Sequence, residues 1–257
     1  MTDSKLCTVV IPCFNRIDLL KRCISSFSSC FNYVDILVVD DGSCPPISLA
    51  EFADEWPVRI LRLEKNLGRF CALKAGSYHV ATEYLLVFDS DDTWVGSPEV
   101  FSEIQSGFSG WVFLTTATKI KNESRGAMVS YFAIRYLSGI KGDLKEICRS
   151  EKFRSAVERI ESKENSRVPT TLIWLLAYGD HEIFLGDQVV CKKEYLAEGM
   201  SSRSLVLRLT NASNMFALYD LLVRRSFTEN AKMSTTFIFM IRKTIYYFLS
   251  KLYDPHH

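Results

Sequence analysis

Along the first 115 residues, short apolar runs alternate with segments of helical period. The runs Cys7 to Ile11, Asp35 to Val39, Val58 to Leu63, Tyr84 to Phe88 and Trp111 to Thr115 read as strands. Between the first two, Ile17, Leu20, Ile24 and Phe27 recur at helical spacing and mark a helix packed on one face. A second helix is expected from about Arg69 to Ala81. A third opens at Ser97-Pro98-Glu99, with an N-cap serine, a proline in the first turn and an acid at the positive end of the dipole. Strands alternating with helices predict a largely parallel sheet covered by helices, an α/β domain.

The pattern changes after Lys119. The stretch Lys119 to Arg167 is polar, and its helical segment Glu151 to Glu164 carries few apolar residues (Phe153, Val157, Ile160), so it reads as a variable insertion or flap. Apolar density returns at Thr171 to Tyr178, followed by the acid-rich Gly179 to Gln188. The end of the chain, Phe237 to Tyr253, is aromatic and basic together. The expected organisation is a domain over 1–225, in two halves over 1–118 and 119–225. A helical extension over 226–257 completes it.

Composition narrows the class. The chain has 257 residues, 47% hydrophobic and 24% charged, the balance of an ordinary globular protein. Its 31 Lys and Arg against 30 Asp and Glu give a net charge of +1, so nothing argues for a nucleic-acid footprint. The eight cysteines (7, 13, 23, 30, 44, 71, 148 and 191) form no C-x-x-C pair and no zinc spacing, so free thiols in a reducing compartment are expected. With no signal-peptide pattern at Met1 to Lys5 and no uncharged apolar run long enough to span a bilayer, the expected location is the cytoplasm.

Candidate chemistry concentrates where strands end. Leu85 to Phe88 runs directly into Asp89-Ser90-Asp91-Asp92, which delivers three carboxylates to a strand's carboxyl end, where open α/β sheets bind ligands. Like charges so close need a cation or a shared proton, and a hard divalent ion that also holds phosphate oxygens suits them. The first strand exits through Ile11-Pro12-Cys13-Phe14-Asn15-Arg16, the second through Val39-Asp40-Asp41-Gly42-Ser43. In these motifs, and in Asn66-Leu67-Gly68 to Gly76, the chain resembles the family 2 glycosyltransferases of the GT-A fold. It departs from their N-x-G-x-x-x-A-R-N-x-G element at Lys74 and Ala75.

That resemblance implies a UDP-sugar donor. Asp41 would accept from the uracil imide, Pro12 and Phe14 would wall the base pocket, and Asn15 and Arg16 would stand beside it. Asp89 and Ser90 would lie by the ribose, with Arg69 or Lys74 adding positive charge at the diphosphate. Asp91, with Asp89 and Asp92, would ligate Mn2+ or Mg2+. It further implies inversion at the anomeric carbon, a general base in the second half of the chain, and a saccharide acceptor carried on a lipid diphosphate, as in surface-polysaccharide assembly. The base expected here is Asp187, in Gly186-Asp187 where that family has E-D, with Asp180 and Glu182 as rivals and His181 as a neighbour. The aromatic and basic C-terminal segment either lies in a membrane interface or covers the core. Two other readings stay open: a phosphatase of the haloacid dehalogenase type with Asp89 as nucleophile, and a catalytically dead sugar-nucleotide-binding subunit.

Overall fold

A computed structural model describes residues 5–54, 56–102, 104, 108–119, 126–194 and 211–253. The strands are β1 (Cys7–Cys13), β2 (Val34–Asp40), β3 (Val58–Arg62), β4 (Tyr84–Val87), β5 (Thr93–Trp94), β6 (Gly110–Thr115), β7 (Ala127–Ser130), β8 (Leu144–Arg149) and β9 (Glu182–Lys192). The helices are α1 (Ile17–Ser25), α2 (Arg69–Ser77), α3 (Glu99–Ser102), α4 (Ser150–Glu158), α5 (Thr170–Tyr178), α6 (Ala212–Thr228) and α7 (Met233–Tyr253). All five strands expected from the apolar runs are present. The strands form one mixed sheet in the order β3-β2-β1-β4-β8-β6-β9-β5, with β7 paired to β9.

Strands β3, β2, β1 and β4 are mutually parallel, and β8 runs antiparallel between β4 and β6. Cys13 stands beside Asp40, Leu86 beside Ile147, and Leu114 beside Leu144. The exits of β1, β2 and β4 and the entry of β8 therefore share one edge of the sheet, and the site is built there. One face of the sheet packs Val10, Leu37, Leu85 and Val87 against α2, α4 and α5. The other packs Val9, Ile36, Leu86 and Phe88 against Leu20 and Ile24 of α1 and Val100 and Phe101 of α3. Full burial of each such side chain stabilises the fold by roughly 1.5–3 kcal/mol. All eight cysteines are unpaired thiols.

Three expectations are corrected. Helix α2 stops at Ser77, short of Ala81, because Tyr78 and His79 turn back onto the carbonyls of Ala75 and Gly76. The stretch 119–167 is not a peripheral insertion: it supplies β8 to the middle of the sheet, and α4 buries Phe153, Ala156 and Val157. Its charges misled the pattern because Lys145 and Glu146 are themselves buried, at 4% and 7% exposure. Finally, residue 226 is not a boundary but lies inside α6, which pairs with α7 as a helical hairpin whose Leu218, Leu222 and Phe239 join the main core.

Candidate active site

The exits of β1 and β2 are tied together by side chains of their own motifs. Asp40, fully buried, accepts from the backbone N–H groups of Ser43 (2.8 Å) and Ile47 (3.1 Å) and from Arg62. Asn15 accepts from the N–H of Cys44 at 2.8 Å and donates its own N–H to Ser43 Oγ at 2.9 Å. Asp41, 4% exposed, accepts from the backbone N–H groups of Leu67 (2.8 Å) and Gly68 (2.9 Å), one on each oxygen. It thus binds the Asp-Gly-Ser turn to the Asn66-Leu67-Gly68 loop while still lining the cleft. Burial raises its pKa, and the two backbone donors oppose that rise.

Gly42 holds this corner at φ +76°, and a Cβ there would lie 2.4 Å from the Lys65 carbonyl carbon. Backbone against backbone leaves nothing flexible to yield. Gly42→Ala is therefore expected to cost roughly 1–3 kcal/mol from strain at this backbone conformation. Thermal denaturation checks it: a variant that melts within about 1 °C of the parent would mean that the turn adapts freely.

The carboxylates after β4 carry their own cations. Asp89 Oδ1 accepts from Arg69 Nε (3.0 Å) and Nη2 (2.7 Å), and Oδ2 accepts from Lys193 Nζ at 3.2 Å. Asp92, fully buried, accepts from Lys145 Nζ and Lys193 Nζ, both at 2.8 Å. Lys145 Nζ also lies 4.3 Å from the centroid of the Phe88 ring. Burial would raise the pKa of Asp89, but Arg69, Lys145 and Lys193 outweigh it and hold that carboxyl well below the usual range. Asp91 differs: burial and then its neighbours Asp89 and Asp92 raise its pKa, against Arg16 at 3.2 Å.

Among the described residues, no group of three His, Cys, Asp or Glu side chains is arranged to hold a metal ion. The expected ligands Asp89, Asp91 and Asp92 do not converge on one point here, because two of them take cations of the chain itself. Asp92 is sealed beneath the surface on two lysines, and Asp89 is spent on Arg69 and Lys193. Asp91 is the carboxylate of the three that keeps acceptor capacity toward the cleft. Mg2+ and Mn2+ commonly take one or two carboxylates and complete their shells with phosphate oxygens and water. Asp91 fits an ion held in that way together with a diphosphate.

The cleft itself encloses about 580 Å³ and is lined by Pro12, Phe14, Arg16, Asp41, Asp91 and Lys193, among others. Behind it lies a smaller chamber of about 240 Å³, sharing Arg69, Asp89, Asp143, Thr170 and Lys193 with the cleft and adding Lys145, Glu146 and Trp174. Glu146 accepts from Tyr131 Oη at 2.8 Å. Burial pushes its carboxyl up to about 7, against the opposing pull of Arg135, Tyr131 and Lys145. The indole N–H of Trp174 has no hydrogen-bond partner among the described residues.

Of the residues expected from sequence, Pro12, Phe14, Arg16, Asp41, Arg69, Asp89, Ser90 and Asp91 line this cleft. Asn15 braces it from outside. Lys74, on the partly exposed side of α2, is not among the lining residues. Nor is Asp187, which stands exposed in the middle of β9, a strand that pairs with β6 and β7. Asp180 is exposed and paired to Arg225, and His181 and Glu182 are exposed as well. Lys145, Glu146, Lys193 and Thr170 were not anticipated. Their one sequence signal is a charged Lys-Glu pair inside the apolar run Leu144 to Cys148.

With this geometry in hand, comparison with known proteins is informative. Residues 8–124 match glycosyl transferase family 2. Glycosyltransferase GlyA of Streptococcus pneumoniae is 31% identical over 98 residues, covering 37% of this chain and 14% of that protein. An undecaprenyl-phosphate 4-deoxy-4-formamido-L-arabinose transferase of Edwardsiella ictaluri is 33% identical over 102 residues, covering 35% of this chain and 31% of that protein. The chain thus spans less than a third of the length of either curated relative. Staphylococcus aureus TarS 1-349 in complex with UDP-GlcNAc superposes with a TM-score of 0.56 at 17% identity, covering 90% of this chain and 77% of that one. The mannosyltransferase PcManGT of Pyrobaculum calidifontis, in complex with GDP-Man and Mn2+, gives 0.50 at 11% identity over 98% of this chain and 89% of that one. By its motifs and its family match, the segment 8–124 is similar to glycosyl transferase family 2, and the architecture of the chain is the GT-A fold.

Proposed function

We propose that the protein is an inverting glycosyltransferase that moves a hexose from a UDP-sugar to a hydroxyl of a lipid-linked saccharide. The observation that carries this reading is the cleft at the shared strand edge. It joins an apolar wall (Pro12, Phe14) and a braced carboxylate (Asp41) to a second carboxylate (Asp91) paired with Arg16, in a lining that also holds Arg69 and Lys193. A planar base with an imide N–H suits the first half, and a diphosphate suits the second. The relatives that act on undecaprenyl phosphate support the lipid-linked acceptor.

In this reading Asp41 receives the uracil N–H, and Arg16 and Lys193 bring positive charge to the diphosphate. Asp91 would hold a Mn2+ or Mg2+ ion, which when bound would supply Lewis-acid stabilisation of the departing nucleoside diphosphate. The acceptor hydroxyl gives up its proton as its oxygen bonds the anomeric carbon and the diphosphate leaves. Glu146 is assigned that proton in place of Asp187, because it lines the inner chamber and its carboxyl is held near 7, where a general base works best. The phosphatase reading loses support from Asp89, whose two oxygens are occupied by Arg69 and Lys193.

A thermal-shift titration tests the donor class. A ligand that binds only the folded state at 100 times its Kd adds about 2.7 kcal/mol. For a chain of this size that amounts to a rise of about 5–11 °C. UDP with Mn2+ is expected to produce such a shift, and Asp91→Ala to remove its Mn2+-dependent part. No shift with any nucleotide, with or without Mn2+, overturns the reading.

A further inference from the structure

Helix α7 is apolar on two faces. Its inner face is used: Thr236 and Phe239 are buried, Phe239 meets Tyr136 edge-on at 5.3 Å, and Tyr246 stacks on Tyr219 at 5.5 Å. On the opposite face Phe237 (60% exposed), Ile241 (44%), Ile245 (50%), Phe248 (60%) and Leu252 (73%) stand in the open. Their spacing of four, four, three and four residues places them on one stripe along the helix. A core-covering helix needs only the first face. The second is a continuous exposed apolar strip of the kind that marks an interaction site.

Charge identifies the occupant. Residues 211–253, which hold the hairpin, carry six basic side chains (Arg224, Arg225, Lys232, Arg242, Lys243, Lys251) against two acidic ones, Asp220 and Glu229. That net charge of +4 sits in a chain whose total is +1, and α7 itself contains no acid. None of the described helices is long and apolar enough to cross a membrane. An apolar stripe with an aromatic and basic surround, too polar to span, has the physical character of a helix that lies in a bilayer interface and is attracted to anionic headgroups.

We propose that the outer face of α7 docks on the surface of an anionic phospholipid bilayer, parallel to its plane. The proposal stands on the α6–α7 hairpin alone and holds whatever the cleft transfers. Co-sedimentation with vesicles tests it, using phosphatidylglycerol in phosphatidylcholine against pure phosphatidylcholine. The intact protein is expected to partition onto the anionic vesicles and on the order of 100-fold less onto neutral ones, with the difference shrinking as salt is raised. The triple variant Phe237→Ser, Ile241→Ser, Phe248→Ser is expected to lose anionic-vesicle binding and keep the parent's melting temperature, since none of the three is buried. The single variant Phe248→Ser gives an intermediate loss if the triple variant does not fold. Absence of binding to either vesicle overturns the proposal. So does a concentration-dependent dimer abolished by the same substitutions, which would assign the stripe to a second copy of the chain.

Discussion

Lys145→Met is expected to lower the melting temperature by about 6–20 °C. The side chain is 5% exposed, and its ammonium group lies 2.8 Å from Asp92, itself 1% exposed, and 3.8 Å from Asp89. Removing one partner of a buried pair leaves a charge without compensation, at roughly 3–5 kcal/mol. For about 250 residues each kcal/mol shifts the midpoint by about 2–4 °C. Lys193 also touches Asp92, but it is 12% exposed and shares itself with Asp89, so it compensates only in part. The double variant Lys145→Met, Asp92→Leu is expected to recover most of the loss, because removing both charges of a buried pair is often near neutral. Differential scanning calorimetry of the three proteins decides the matter. If the single variant fell by less than about 2 °C, the ion pair would contribute nothing the surrounding packing does not already supply.

Glu146→Gln has the largest expected effect on turnover, a fall of about 10²–10⁴-fold in the rate of UDP release, the usual contribution of a positioned general base. UDP affinity, measured by calorimetric titration, is expected to stay unchanged, and the hydrogen bond from Tyr131 survives because the amide oxygen still accepts. In the parent, the rate is expected to rise through pH 7 as the carboxyl ionises, and the variant lacks that limb. Stability moves with the opposite sign. The folded protein holds this proton up to about 7 while the unfolded chain releases it near 4.5. Between those values the folded state binds more protons, so this group makes stability fall as pH rises. The glutamine variant removes that slope. Asp187→Asn, far from the lining residues, should turn over at the parent's rate; a loss like that expected of Glu146→Gln would return the base to β9.

The strand-exit half of the site was legible because its information is local. Each motif sits at the end of one apolar run, and turn chemistry fixes the residues just beyond it: Asp40 caps its own turn, and Gly42 is required by a positive φ. The other half was not legible because it is assembled across the sheet. Lys145 reaches Asp92 over 53 positions and Lys193 over 101, distances at which periodicity carries no signal. The carboxylate cluster did announce that cations must be near, but the sequence pattern could not tell an ion bound from solvent from lysines of the chain itself. A charged pair within Leu144 to Cys148 lowered the apparent hydrophobicity of a central strand, and the segment read as surface. Asp187 was sought by analogy of spacing, whereas the described cleft is entered by the start of α5 and the chamber behind it by β8.

Strand β8 places neighbouring residues to opposite ends of the site's needs. Lys145 turns toward Phe88 and the buried Asp92, while Glu146 turns the other way, toward Tyr131. Because a strand alternates its side chains with a period of two, a slip of one residue exchanges them. The chain between Thr115 and Leu144 can thus vary in length, but not by shifting this pairing. Such a slip would set an acid against two carboxylates and a lysine beside Tyr131, removing the cation that compensates Asp92 and the carboxylate proposed as base in a single event. A deletion within β8 itself would move both side chains at once.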